Sequence, residues 1–153
     1  MKKIKNITTP IGNITIEACD YYITKIKLGC EPSEEIEPNT DILNQCASEL
    51  VQYFAGERKS FTFAYKNIGT PFRMQVWDEL EKIPYGETTT YKDIAQAIGN
   101  KNAVRAVGGA NHHNNLWIVV PCHRVIGSNG HLTGYGGGIW RKEWLLNHEK
   151  NWR

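Results

Sequence analysis

No apolar run in this 153-residue chain approaches the roughly 18–20 residues that a membrane span requires, so no membrane partner is expected. There is no CxxC pair either. The four cysteines, Cys19, Cys30, Cys46 and Cys122, fall at irregular spacing, which supports neither a zinc knuckle nor a dithiol redox motif. The opening MKKIKNITTP has lysines without an apolar run behind them. It therefore does not read as a secretory leader, and the expected setting is the reducing cytoplasm, with four free thiols. An excess of one charge is missing too: 18 Lys and Arg against 16 Asp and Glu give a net charge of +2, which neither demands nor excludes nucleic acid. Acids are absent from residues 99–127, which carry Lys101, Arg105 and Arg124, and are gathered instead in EPSEEIEP, residues 31–38. One basic face is therefore available.

What is present reads as an α+β chain in two parts, 1–68 and 69–153. In the first part, TPIGNITIEA has a turn signal at Gly12–Asn13 between two β-rich runs. YYITKIKLG is a further strand ending at Gly29, EPSEEIEPNT a polar surface loop, and FTFAY a last short strand. Leu43, Cys46, Leu50, Tyr53 and Phe54 recur at helical spacing and predict a helix over 41–54, stopped near Gly56, with Cys46 in its core stripe. The second part is mostly helical. Thr70 can cap a helix with Pro71 in its first turn and Phe72, Val76, Leu80 and Ile83 on one face. IPYGE is a turn. Thr90 and Asp93 open another helix, with Ile94 and Ile98 inward and Gly99 as its stop. Asn102 can cap a third, AVRAVGGA, and the pair resembles a helix-turn-helix. LWIVV reads as a strand and RKEWLLNHEK as the closing helix.

Two features carry chemistry. The third helix is thin: Ala103, Ala106, Gly108, Gly109 and Ala110 leave Arg105 as its one long cationic side chain. Two glycines cost about 1 kcal/mol each relative to alanine. They are explained either by tight helix–helix packing or by a DNA minor groove that must approach the backbone. The second feature is IVVPCHRVIG, where Cys122 and His123 stand together. A thiol attacks as thiolate, and an adjacent imidazole can take its proton, the better if a carboxylate orients the ring. Glu143 and Glu149 are both candidates for that carboxylate. A buried structural cysteine and a metal ligand among His112, His113, Cys122, His123 and His131 are the competing readings, although the spacing fits no standard zinc pattern. In GYGGG, residues 134–138, glycines around Tyr135 would let a ligand come close to the backbone.

PCHRVIG, preceded by RAVGGAN and followed by GYGGG and KEWLLNHE, resembles the O6-alkylguanine-DNA alkyltransferase family, and the similarity extends through GTPFRMQVWDELEKIPYGETTTYKDIAQAIGN and, more loosely, to the N-terminal part. The resemblance implies a ribonuclease H-like α/β domain over 1–68. It implies a mostly helical domain over 69–153, with a winged helix-turn-helix-like element that binds DNA and accepts the alkyl group. It also implies a single-turnover transfer, without cofactor or metal, from O6-alkylguanine in double-stranded DNA to Cys122, in a monomeric protein. By the same resemblance His123 is the base acting through a water, Glu149 its orienting carboxylate, and Asn114 a brace of the site. Tyr91 and Arg105 rotate the nucleotide and fill its place, Tyr135 lies near the guanine ring, and the main chain of Cys122 and Val125 holds the base. The chain departs from the family pattern at two positions. Gly136 replaces a serine of some members, so a contact to the base oxygen would come from its backbone amide, and Asn115 replaces the usual proline. The zinc site of some members needs histidines that are absent before position 112. A related class of proteins that flag lesions without accepting the alkyl group carries tryptophan at the cysteine position, against which Cys122 stands. A cysteine hydrolase would need an oxyanion hole that the sequence does not suggest.

Overall fold

Strand-forming and helix-forming periods alternate along the chain in an order that a computed structural model resolves as two compact units, Met1–Ile68 and Gly69–Arg153. The structure describes residues 3–30, 40–132 and 135–153. The expected loop over 31–40 therefore falls, except for Thr40, outside the described residues, as does Gly134 of the glycine-rich stretch.

In the first unit, β1 (Lys3–Thr9), β2 (Gly12–Ala18) and β3 (Ile23–Leu28) form an antiparallel sheet in that order. Helix α1 (Asp41–Phe54) covers it with Leu43, Cys46, Leu50 and Tyr53, all fully buried. Thr40 caps the helix through its hydroxyl, which accepts from the Leu43 N–H. Two expectations change here. The β1–β2 turn is Pro10–Ile11, not Gly12–Asn13. Pro10 supplies the fixed φ that a turn wants, and the Thr9 hydroxyl ties the loop by accepting from Ile11 N and donating to Gly12 O. FTFAY is not a strand of its own, because it makes only an isolated bridge, Ile23 to Tyr65. The buried Glu49 carboxylate takes both the Thr62 N–H and its hydroxyl at 2.6 Å, so that backbone group is spent on a side chain rather than on a ladder.

The second unit runs α2 (Pro71–Glu81), β4 (Thr89–Thr90), α3 (Tyr91–Ala97), α4 (Val104–His112), β5 (Val125–Ile126) and α5 (Ile139–Asn151). Thr70 and Thr90 cap α2 and α3 as their sequences predict, and Gly99, at φ 79°, ends α3. The α3–α4 pair is a helix-turn-helix. Asn102 is not its second cap: Ala103 holds that position and offers no side-chain hydrogen bond. The parallel β4–β5 pair has no counterpart in the sequence reading, because two residues are too few to show a period.

Candidate active site

Cys122, His123 and Arg124 form one turn of 3-10 helix, all three side chains buried. The segment leading to them is not the strand that LWIVV suggests. Residues 117–119 make a turn in which Ile118 adopts φ 75°, an uncommon conformation for a β-branched residue. Asn114, fully buried, enforces it. Its amide nitrogen donates to Leu116 O at 3.3 Å and Val120 O at 2.8 Å, and its oxygen accepts from Leu116 N at 3.1 Å. Five apolar residues in a row mark burial but do not separate a buried strand from a buried turn.

Behind the cysteine, α5 delivers Glu149. His123 Nε2 lies 2.6 Å from Glu149 Oε2. Arg124 donates Nε to Oε1 at 2.7 Å and Nη2 to Oε2 at 3.0 Å, and gives Nη1 to the Ile83 carbonyl at 2.8 Å. The Gly86 N–H reaches Oε1 at 3.2 Å. Burial alone would raise the Glu149 carboxyl, but the His123 imidazole and Arg124 guanidinium hold it well below the usual carboxylate range. Glu143, the other candidate in the sequence, is exposed. An ionised carboxylate only accepts, so Nε2 carries the imidazole proton and Nδ1 presents its lone pair. That Nδ1 is buried and has no partner among the described residues. Burial keeps His123 neutral by lowering its pKa, since Arg124 already balances the Glu149 charge.

The thiol is 3 % exposed, and burial raises its pKa. The Asn114 side chain and the charge of Lys142 work the other way. Lys142 is a residue the sequence reading missed. It is fully buried on α5, brought down to about 8 by that burial, and its Nζ lies 3.4 Å from the Tyr91 hydroxyl. The available signal was spacing: Lys142 and Glu149 are seven apart, two helical turns, and so share a face of α5. Tyr135 is buried beside Trp117, ring centroids 4.8 Å apart, and its hydroxyl has no partner among the described residues. Burial first, and then the neighbouring Cys122, raise its pKa well above the ordinary value, so it stays a neutral donor. At Gly136 an added Cβ would touch His112 Cε1 at 3.5 Å and the Trp117 ring at 3.7 Å, so those two rings already fill the space beside it. Val125 follows the cysteine in β5, its N–H bonded to the Cys122 carbonyl. Arg105 is exposed on α4. Among the described residues, Gly108 and Gly109 have nothing within 4 Å of an added Cβ beyond their own helix, so close helix packing among those residues does not account for them.

Comparison with known proteins matches residues 71–151 to the family model described as 6-O-methylguanine DNA methyltransferase, DNA binding domain, and residues 4–65 to the ribonuclease-like domain of the same family. The constitutive methylated-DNA–protein-cysteine methyltransferase of Bacillus subtilis is 46 % identical over 151 residues, 93 % of this chain and 92 % of the relative. The Methanosarcina barkeri methylated-DNA–protein-cysteine methyltransferase is 49 % identical, covering 95 % of each. The crystal structure of Mycobacterium tuberculosis O6-methylguanine methyltransferase superposes with a TM-score of 0.89 at 42 % identity, over 100 % of this chain and 95 % of that one. The Mycobacterium tuberculosis protein in complex with DNA gives 0.88 at 43 %, over 97 % and 93 %.

Proposed function

The chain belongs to the 6-O-methylguanine DNA methyltransferase family, and from that premise we propose that it repairs DNA by moving the alkyl group of O6-alkylguanine irreversibly onto Cys122. The observation that carries this reading is the buried Glu149–His123 pair next to Cys122 in the chain, with Nδ1 left as the open base nitrogen. In the reaction His123 Nδ1 takes the thiol proton through a water, and Sγ attacks the alkyl carbon. The carbon–O6 bond breaks, its electron pair stays with the base, and guanine leaves after taking up a proton. The thioether is not reversed, so each molecule acts once. The ion pair with Glu149 stabilises the imidazolium as it forms.

The remaining roles are those that the family resemblance implies. Asn114 braces the turn beneath the thiol. O6 is inside a paired duplex, so the base must be flipped out, at a cost of a few kcal/mol. Arg105 on the thin face of α4 fills the vacated place, which offsets part of that cost, and Tyr91 at the start of α3 turns the nucleotide. Tyr135 and the backbone amide of Gly136 meet the base near O6 as charge develops there. The main chain at Cys122 and Val125 holds its other edge. The protein acts as a monomer, in the cytoplasm, with no cofactor.

Mass measurement tests the proposal. Incubation with a duplex containing O6-methylguanine is expected to add one methyl and no more, and none to Cys122→Ser. Binding without a mass gain, or free product in excess of protein, overturns it.

A further inference from the structure

Lys142 takes no part in the proton path from Cys122 to His123. Yet its side chain is fully buried on α5, where a cation is costly to keep. Both α3 and the 3-10 turn reach it there. From the first residue of α3, 51 positions away in the chain, the Tyr91 hydroxyl lies 3.4 Å from Nζ, and Nζ stands 5.7 Å from the centre of the Tyr91 ring. From the turn, Cys122 acts on it by charge: burial works against the ammonium, and the Cys122 charge works for it. An ammonium only donates, so in the Lys142–Tyr91 pair the phenol oxygen accepts. A hydrogen bond from a charged donor holds more firmly than a neutral one. Tyr91 is half-buried and Lys142 fully buried, so the ammonium grips the tyrosine from its inner side. The contact thereby ties α5, which also carries Glu149, to the start of α3.

A side chain that presses on a nucleotide does so only if its own place is fixed by what supports it. We propose that Lys142 is a positioning residue: it fixes the Tyr91 side chain against which the nucleotide turns, with the same ammonium whose charge faces the thiol. Turning of the nucleotide and readiness of Cys122 then depend on one buried cation. This rests on the transfer reading above, and on the part given there to Tyr91.

The test compares alkyl transfer to Cys122 from a duplex containing O6-methylguanine with transfer from the free base O6-benzylguanine. The free base has no sugar or phosphate to turn. The ratio of the two rates therefore separates what Lys142 does through Tyr91 from what it does to the thiol, which both donors share. Lys142→Met should lower the duplex-to-free-base ratio roughly three- to tenfold, the worth of about one hydrogen bond. Tyr91→Phe, which removes the oxygen that Lys142 holds, should lower it by a similar factor. In the double variant the ratio should stay within about twofold of Tyr91→Phe alone, because the second change has nothing left to remove. An unchanged ratio in Lys142→Met overturns the proposal, and so do losses that multiply in the double variant. Methionine replaces the ammonium with an apolar chain of similar length, so the fold should hold. Thermal melting checks this. Should Lys142→Met prove unfolded, Tyr91→Phe decides: a lowered ratio supports the proposal and an unchanged one overturns it. Failure of the wild-type protein to gain an alkyl group from either donor is a different result and counts against the transfer reading itself.

Discussion

At Glu149 an imidazole, a guanidinium and a backbone N–H all converge on one buried carboxylate. Its folded pKa lies below the ordinary value of about 4.3, so at low pH the unfolded chain takes a proton that the folded one refuses. The stabilisation is complete above that value and is lost as pH falls through the folded one. His123, lowered by burial from about 6.5, acts in the same direction from a higher pH. Thermal melts between pH 7 and pH 3 should therefore show stability falling below about 6.5 and more steeply below about 4.3. Glu149→Gln should remove the steeper part. It also leaves the Arg124 guanidinium buried without its counter-charge, and is expected to cost on the order of 3–5 kcal/mol at neutral pH. Lys142 acts on the thiol instead. Its charge opposes the burial that raises Cys122, so Lys142→Met should push the thiol pKa further up. Alkylation of Cys122 by iodoacetamide would then move to higher pH; an unchanged profile would remove Lys142 from any part in activating the thiol.

At the scale of elements, α4 gives the most specific expectation. Among the described residues, nothing packs on Gly108 and Gly109 from outside their own helix. Gly109→Ala should therefore stabilise the folded protein by about 0.5–1 kcal/mol, the ordinary helix propensity gain. Gly109→Phe should leave the fold intact yet abolish duplex repair if the helix enters a groove, while transfer from a free benzylated base continues. Arg105→Ala should show the same split more weakly, and equal slowing of both substrates would exclude a flipping role. Helices with caps and long stripes were legible in the sequence: Thr70 and Thr90 each accept the N–H that their position predicts. Elements that depend on one side chain bonding to distant backbone were not. Glu49 holds Thr62 out of a strand, and Asn114 folds 114–120 into a turn. Neither bond leaves a period in the sequence. The candidate site divides in the same way. Cys122, His123 and Glu149 stood out through motif and resemblance, whereas Lys142 emerges only when burial reveals a cation that acts on the thiol.

For the molecule as a whole, the modest charge of +2 constrains how DNA is held. Of the three basic residues in the acid-free segment 99–127, Arg124 is buried against Glu149 and cannot meet a phosphate. Lys101 and Arg105 remain exposed. Affinity for DNA falls with salt in proportion to the phosphates neutralised, with a slope of about −0.9 per contact. Few cations on the binding face mean few released counterions. The sequence-independent part of binding should therefore be weak, with more of the affinity coming from insertion and base contacts. Anisotropy titrations of Cys122→Ser, which cannot react, on an O6-methylguanine duplex between about 50 and about 200 mM salt should give a log–log slope of about −2 to −4. A slope steeper than about −6 would mean that six or more phosphates are neutralised. The binding face would then have to draw on lysines and arginines beyond this segment, and α4 would no longer suffice as its centre.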